Sequence, residues 1–184
     1  MFSQNGYAGT NIREPTAACP CHVQQAFCDG LWKGRDKTVK WYIDRLAELE
    51  SATPIISVCG DDCAVCPRYL ARTEDELLET AIFWYRAGWR DRVVSNEEIR
   101  CTGCGCRPTC SFMLLPCTRE HHVSACRECD RFECEKVRST YACSEEKKRQ
   151  CERACESPEE FRMLCRAFYE KESNMRQPVR RSDR

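Results

Sequence analysis

The sequence predicts a mainly α-helical protein with minor β-structure, in which flanking helices surround a small irregular fold that metal ions hold at Cys-x-x-Cys knuckles. Cysteine accounts for 18 of the 184 residues, and most of the central cysteines stand in closely spaced pairs and triplets. Leu, Ile, Val and Phe together make up only about 17% of the chain, which is fewer large apolar residues than the hydrophobic core of an ordinary globular domain contains. Several segments also carry apolar residues at helical spacing.

The density of cysteine is compatible with two kinds of scaffold. It is typical of disulfide-bonded domains in secreted chains, whereas in a reducing compartment closely spaced cysteines bind metal ions. Residues 1–15 contain no cationic start followed by an apolar run and no small-residue cleavage site, so we expect a cytoplasmic protein. Metal binding is therefore the prediction, with disulfides as the alternative. Zinc can contribute ~10–16 kcal/mol to the folding of a small domain.

Charge and composition bear on the function classes. The 29 basic and 29 acidic side chains cancel, and the arginines between residues 86 and 107 form only a modest cluster, which disfavours a nucleic-acid partner. No segment approaches the ~20 apolar residues that cross a bilayer, so no membrane span is expected. The chain has no phosphate loop, nucleophile elbow or pair of catalytic carboxylates, and no catalytic residue is proposed.

The first predicted unit, residues 1–54, is an extension with a Cys/His loop and one helix. The helix is expected over residues 35–50, because apolar residues recur there every three or four positions and share one face. These residues are Val39, Ile43, Leu46 and Leu49. The segment Thr-Pro-Ile-Ile-Ser-Val before Cys59 is either a short strand or an extended connector.

Capping signals predict the next helices. Thr73 followed by Glu76 is a capping box. We expect the helix after it to bury one face, with Trp84 as a further core residue; that face consists of Leu78, Ala81, Ile82, Tyr85 and Trp89. Ser95 with Glu98 repeats the signal and predicts a helical turn just before Cys101.

A helical extension is predicted over residues 141–173, followed by a disordered basic tail over residues 174–184. Ser144 is expected to open a helix that carries Cys151 and Cys155 one turn apart. Ser157 and Pro158 give a strong start signal for a second helix. Its buried side is expected to hold Phe161, Leu164, Cys165 and Phe168.

The central module, residues 55–140, carries the strongest metal-binding motifs. Two Cys-x-x-Cys pairs form the ligand pattern of a structural zinc site, so we expect one ion to be shared by Cys101, Cys104, Cys126 and Cys129. A second site is expected at the triplet, completed by one of two other cysteines; its candidates are Cys59, Cys63 and Cys66 with Cys117 or Cys134. Two or more zinc ions are thus predicted. A closed four-thiolate site leaves no position for a substrate, so the metal would be structural.

Two alternatives remain open at these motifs. An iron–sulfur cluster could replace zinc and serve electron transfer or redox sensing, because the triplet ends in Cys66-Pro67 and bacterial ferredoxins share a Cys-Pro ending. The histidines His121 and His122 lie in the loop between two candidate ligands. As a neutral imidazole either could bind the metal or act as a base to a nearby thiolate, and we expect both to be solvated loop residues.

Other candidate ligands lie outside the main pairs. An amino-terminal group could form a Cys3His site, two cysteines follow Cys104, and two in the carboxy-terminal extension share a helix face. For the last two, buried free thiols are an equal alternative. These candidates are Cys19, Cys21, His22, Cys28, Cys106, Cys110, Cys151 and Cys155.

As an ordered set, the central motifs resemble a prokaryotic cysteine-rich family, domain of unknown function 3795. The resemblance covers roughly residues 55–140 and rests on Cys59-Gly-x-x-Cys63-x-x-Cys66-Pro67-x-Tyr69, then Cys101-x-Gly-Cys104, then Cys117-x8-Cys126-x2-Cys129-x2-Phe132-x-Cys134. It implies zinc binding through these cysteines and implies no known activity. We therefore expect a metal-binding structural or interaction module whose surface recognises an unidentified protein partner.

Overall fold

The computed structural model describes residues 39–104 and 112–177, and these residues form helices joined by short loops. No β-strand occurs among them; the only β-type pairing in these two ranges is a single antiparallel bridge between Ile56 and Asp62. The prediction of a mainly α-helical fold is thus confirmed. The segment before Cys59 is an extended connector.

The predicted amino-terminal helix is two short helices, α1 (Lys40–Ile43) and α2 (Leu46–Glu50). Arg45 leaves the helical conformation with φ −104° and ψ 0°, and this breaks the helix. Val39 and Leu49 are buried as predicted. The Tyr42 side chain is fully buried between them, and its hydroxyl donates a hydrogen bond to the carbonyl of Val65 at 2.7 Å. Residues before Val39 lie outside the described ranges.

A short helix and a longer one frame the next loop. Helix α3 (Pro67–Leu70) starts with proline at its first position, where the missing N–H costs nothing. Helix α4 (Glu74–Arg86) begins with the predicted capping box: the Thr73 hydroxyl accepts from the Glu76 amide at 3.2 Å, and the Thr73 amide donates to the Glu76 carboxylate at 3.0 Å.

We expect Thr73→Ala to lower the free energy of unfolding by about 1 kcal/mol, because the α4 amino terminus loses one acceptor. Thr73→Ser keeps the hydroxyl and should remain close to wild type. Denaturant unfolding of the full chain measures both. Equal stability of the two variants would contradict the cap's contribution.

The buried face of α4 differs from the predicted one. It carries Leu77, Thr80, Ala81, Phe83 and Trp84, whereas Tyr85 is exposed. The prediction of Tyr85 as a core residue is therefore wrong. The helix is turned toward an aromatic cluster in which the rings of Trp84, Trp89 and Phe168 lie 4.5–5.7 Å apart between centroids.

Helix α5 (Asn96–Ile99) confirms the second capping box, formed by Ser95 and Glu98. Ile99 is fully buried, and its carbonyl accepts a hydrogen bond from Arg68 Nε at 2.9 Å. This bond attaches the short helix to α3. The chain that leaves α5 therefore starts next to α3.

Helix α6 (Leu114–Glu120) precedes the longest helix, α7 (Glu135–Ala154). Ser144 lies inside α7, and its hydroxyl donates to the carbonyl of Thr140 at 3.0 Å. The prediction that Ser144 starts a helix is therefore wrong. The start lies instead at Cys134, whose extended backbone occupies the N-cap position. Cys151 lies in the last turn, and Cys155 is the C-cap residue.

Helix α8 (Pro158–Phe168) begins as predicted, with the Ser157 hydroxyl accepting from the Glu160 amide at 3.0 Å. Leu164 is fully buried, and Met163 and Ala167 are buried beside it. The other residues of the predicted face, Phe161, Cys165 and Phe168, are half-buried.

A final helix, α9 (Lys171–Arg176), includes the first residues of the predicted disordered tail. That prediction is wrong for Asn174, Met175 and Arg176. Asn174 Nδ2 donates to the carbonyl of Gly60 at 2.9 Å, and Met175 is buried in a hydrophobic cluster. Long-range contacts order this polar segment. Residues 178–184 lie outside the described ranges.

The described residues contain two hydrophobic clusters. The larger one joins α1, α2, α4 and α8, and extends from Val39 to Ala167. The smaller one contains Val58, Cys59, Leu114, Cys126, Val137 and Met175. Helices on both sides of residues 55–140 thus pack against that segment, whose boundaries as a metal-binding module stay a prediction. In the part of the chain that the structure describes, no helix is both long and apolar enough to cross a membrane.

Candidate metal centre

The first knuckle is built on a 3₁₀ turn, Cys63–Val65. The Asp62 carboxylate caps the turn by accepting from the Ala64 amide at 3.0 Å, and the Cys66 amide donates to the Cys63 carbonyl at 3.2 Å. Cys66 is buried and Cys63 is half-buried. The turn therefore holds both cysteines on one short loop that ends at α3.

The second knuckle, Cys101 to Cys104, lies beside the first. Gly103 has a φ of +108°, and a Cβ at this position would stand 3.8 Å from the Tyr69 ring. Burial raises the pKa of the Cys63 thiol, and the negative charges of Cys66, Asp61, Cys104 and Cys101 raise it further. Burial likewise raises the pKa of Cys66 to about 12.

The hydrogen bond from Arg68 to the Ile99 carbonyl and the position of Gly103 against the Tyr69 ring bring the two knuckles side by side. We call their four cysteines the knuckle set: Cys63, Cys66, Cys101 and Cys104. The predicted grouping, in which Cys101 and Cys104 share an ion with Cys126 and Cys129, stays a prediction. The attachment of α5 to α3 through Arg68 places the second knuckle beside the first. The sequence shows two pairs but not which pairs meet.

A second group surrounds a small cavity of about 20 Å³. Cys117 comes from α6, Cys126 and Cys129 come from the 3₁₀ turn Cys126–Glu128 and its C-cap, and Cys134 comes from the N-cap of α7. We call this space the cysteine cavity. Its other lining residues are Leu114, Thr118, His121, Val123, Arg131, Phe132 and Val137.

His121, which is expected from the sequence to be solvated, also lines the cysteine cavity. Ligand atoms of His121, Cys129 and Asp130 lie within 4.8 Å of one another, and no other set of three His, Cys, Asp or Glu residues in the two described ranges does so. His121 is half-buried, whereas His122 is exposed. The spacing of Cys117 and His121, four residues apart across the end of α6, could have indicated that both face the same cavity.

Cys59 lies apart from both groups and faces α9. Its sulfur is 3.2 Å from Ser57 Oγ and accepts a hydrogen bond from Lys171 Nζ at 3.8 Å. Lys171 also pairs with the Asp61 carboxylate. Burial and the charge of Asp61 raise the pKa of Cys59 to about 12, against the opposing effect of Lys171. Cys59 thus lies in a buried polar contact with Ser57 and the first residue of α9.

The remaining candidate ligands lie at the end of α7 or outside the described residues. Cys151 is fully buried and Cys155 is half-buried at the end of α7, and Cys143 on the same helix is exposed. Six candidates lie outside the described residues: Cys19, Cys21, His22, Cys28, Cys106 and Cys110. No disulfide bond joins any two of the thirteen cysteines in the described ranges.

Comparison with known proteins identifies one family. Residues 55–139 match the family model described as "Protein of unknown function (DUF3795)", which is fewer than half of the 184 residues. Searches of curated proteins and of solved structures gave no match. The matched segment contains the knuckle set and the cysteine cavity. The resemblance predicted from the cysteine motifs is thus confirmed: the central segment of this chain is similar to the family of unknown function DUF3795.

Proposed function

We propose that this protein is a zinc-stabilised interaction module that binds one ion at the knuckle set and one at the cysteine cavity. The observation that carries the proposal is that Cys117, Cys126, Cys129 and Cys134 line one cavity. The attachment of α5 to α3, which places the knuckle with Cys101 and Cys104 beside the first knuckle, supports the second site. Four cysteine or histidine ligands are what a structural zinc site requires. The ions would stabilise short helices and loops, because the chain has few large apolar residues with which to bury them in a hydrophobic core.

The size of the cysteine cavity supports a single ion. Its volume of about 20 Å³ is close to the ~10–15 Å³ that one water molecule needs. Around a tetrahedral zinc ion, ligand atoms stand roughly 3.3–3.8 Å apart, so His121 and Cys129, with ligand atoms within 4.8 Å, need only small movements. His121 could replace one thiolate in a Cys3His site. We therefore favour zinc over a larger iron–sulfur cluster at this position.

We also propose a protein partner and a cytoplasmic location. With four protein ligands on each ion, neither site would hold a substrate, so the metal would shape a surface and catalyse nothing. The neutral net charge disfavours nucleic acid and leaves another protein as the proposed partner. A reducing cytoplasm is the compartment in which these thiols would stay available for metal.

Metal analysis of the full chain, purified without oxygen, tests the proposal. We expect colourless protein whose bound zinc falls by one ion per chain in Cys104→Ser and by one in Cys129→Ser, as counted by native mass spectrometry. Cys143→Ser is the matched control, because Cys143 is exposed on α7, and it should keep the wild-type count. Brown protein with iron and acid-labile sulfide would refute the zinc assignment, as would an unchanged zinc count in both variants.

A further inference from the structure

Three side chains that can bind a metal ion meet beside the cysteine cavity. The ligand atoms of His121, Cys129 and Asp130 lie within 4.8 Å of one another, and Cys129 Sγ is 3.6 Å from Asp130 Oδ1. His121 and Cys129 also line the cavity, whereas Asp130 is not among its lining residues. We call these three residues the outer ligands. They share two members with the cavity and add a carboxylate outside it.

Exposure to solvent decreases from Asp130 toward the cavity. Asp130 is exposed, His121 and Cys129 are half-buried, and Cys126 is only 5% exposed. Backbone hydrogen bonds fix the two middle positions: the His121 amide donates to the Cys117 carbonyl at 3.0 Å, and the Cys129 amide donates to the Cys126 carbonyl at 3.0 Å. The outer ligands therefore form a series of contacts between solvent and the buried thiols.

The cavity is too small to admit a hydrated ion. Its volume of about 20 Å³ suits a single body the size of a water molecule, which needs ~10–15 Å³. A zinc ion in solution carries several water molecules, so it has to exchange them for protein ligands before the buried thiols can enclose it. This exchange requires ligands on the solvent side of the cavity, which is where the outer ligands lie.

The chemistry of the outer ligands suits such an exchange. Carboxylate and water oxygens are hard ligands, imidazole nitrogen is suited to zinc, and thiolate sulfur is soft. Asp130 offers an oxygen like those that the ion gives up, and His121 offers a nitrogen. Cys129 offers a sulfur like those that line the cavity. Because Cys129 belongs to both groups, it can keep hold of the ion while the other ligands change.

We propose that His121, Cys129 and Asp130 form a loading site, at which a zinc ion exchanges its water molecules for protein ligands before it reaches the thiols of the cysteine cavity. The inference rests on the proposed zinc site of that cavity and adds a route to it. Cys129 stays a ligand throughout, and its proton passes to solvent. His121 and Asp130 contact the ion only during entry and exit. They therefore affect how fast zinc exchanges and not how many ions are bound.

Zinc exchange in the full chain, purified without oxygen, tests the loading site. An excess of isotopically enriched zinc is added, and native mass spectrometry follows the replacement of the bound ions. We expect Asp130→Asn and His121→Gln each to slow the exchange of one ion about tenfold, because the entering ion loses one ligand. Both variants should keep the wild-type zinc count. His122→Gln is the matched control, because His122 is the exposed neighbour of His121, and it should exchange at the wild-type rate.

Two results would overturn the loading site. Wild-type exchange rates in both Asp130→Asn and His121→Gln would show that neither side chain assists the ion. A lower zinc count in His121→Gln would show that His121 is a permanent ligand. The count in Cys129→Ser tests the cavity site separately. If that count is unchanged, the cavity site and the loading site both fail; if it falls by one while exchange in Asp130→Asn and His121→Gln is unaffected, only the loading site fails.

Discussion

Arg166→Ala is expected to lower the free energy of unfolding by about 3–5 kcal/mol, the cost typical of removing one partner from a buried ion pair. Arg166 Nε donates to the Asp62 carboxylate at 2.9 Å, and Asp62 is 2% exposed. The remaining guanidinium nitrogens donate to three carbonyls at the end of α2, those of Leu49, Glu50 and Ala52, at 2.6–3.2 Å.

The loss would affect three elements at once. Without the guanidinium, the Asp62 carboxylate keeps only the amides of Ile55 and Ala64, and it stays buried with no cation beside it. The carbonyls that follow α2 lose their donors as well, and this uncouples α2 from α8. A buried carboxylate without its cation is the dominant cost.

Arg162→Ala is the matched control for Arg166→Ala. Arg162 lies on the same helix and pairs with Glu50, but its side chain is 62% exposed. Exposed ion pairs contribute about 0–1 kcal/mol, so Arg162→Ala should remain within that range. Denaturant unfolding of the full chain measures both variants. If the two variants lost equal stability, Arg166 would not have the proposed role.

Lys171→Met is expected to cost about 3 kcal/mol, at the lower end of the effect of breaking a buried pair. The Lys171 side chain is 4% exposed, and its ammonium pairs with Asp61 and contacts Cys59. Methionine keeps most of the volume but leaves Asp61 unneutralised; Asp61 is 24% exposed, so water can compensate part of the loss. Far-UV circular dichroism during thermal unfolding provides the measurement.

A double variant tests whether the charge pair causes this loss. Asp61→Asn removes the unneutralised charge, so Lys171→Met with Asp61→Asn should be more stable than the sum of the single effects predicts. Arg176→Ala on the same helix is the control, because Arg176 forms exposed pairs with Glu133 and Glu172 and should cost less than about 1 kcal/mol. Strict additivity would show that Lys171 acts only through packing.

Three helix starts could be predicted from the sequence because their signals are local, whereas the start of α7 lies at Cys134, which has no side-chain cap, and not at the predicted Ser144. The caps at Thr73, Ser95 and Ser157 each satisfy amides three residues away, and no distant contact is needed. Faces and interruptions could not be predicted in this way. Tyr85 is exposed because α4 turns toward an aromatic cluster completed by Phe168, and Phe168 lies far away in the sequence.

In the candidate metal site, too, the local features could be predicted from the sequence and the long-range contacts could not. The Cys-x-x-Cys spacing indicates where knuckles form, because the turn that holds two thiols is local. Which knuckles lie side by side depends on where α5 attaches, and that depends on a hydrogen bond between Arg68 and Ile99. Residues 174–176 are predicted to be disordered because this end of the chain is polar and basic. They are instead ordered by distant contacts, since Asn174 bonds to Gly60 and Met175 packs in the smaller hydrophobic cluster.

The docking of α9 on the loop around Gly60 has a consequence for synthesis on the ribosome. Gly60 leaves no space for a side chain, since an added Cβ would lie 2.7 Å from the Lys171 carbonyl oxygen. Asp61 and Lys171 are 110 positions apart, and ribosomes need roughly 5–20 s to add that many residues. During this interval the nascent cysteine-rich loop is open to the surrounding metal pool, and the last helix closes over it only after every thiol of residues 55–139 has been translated.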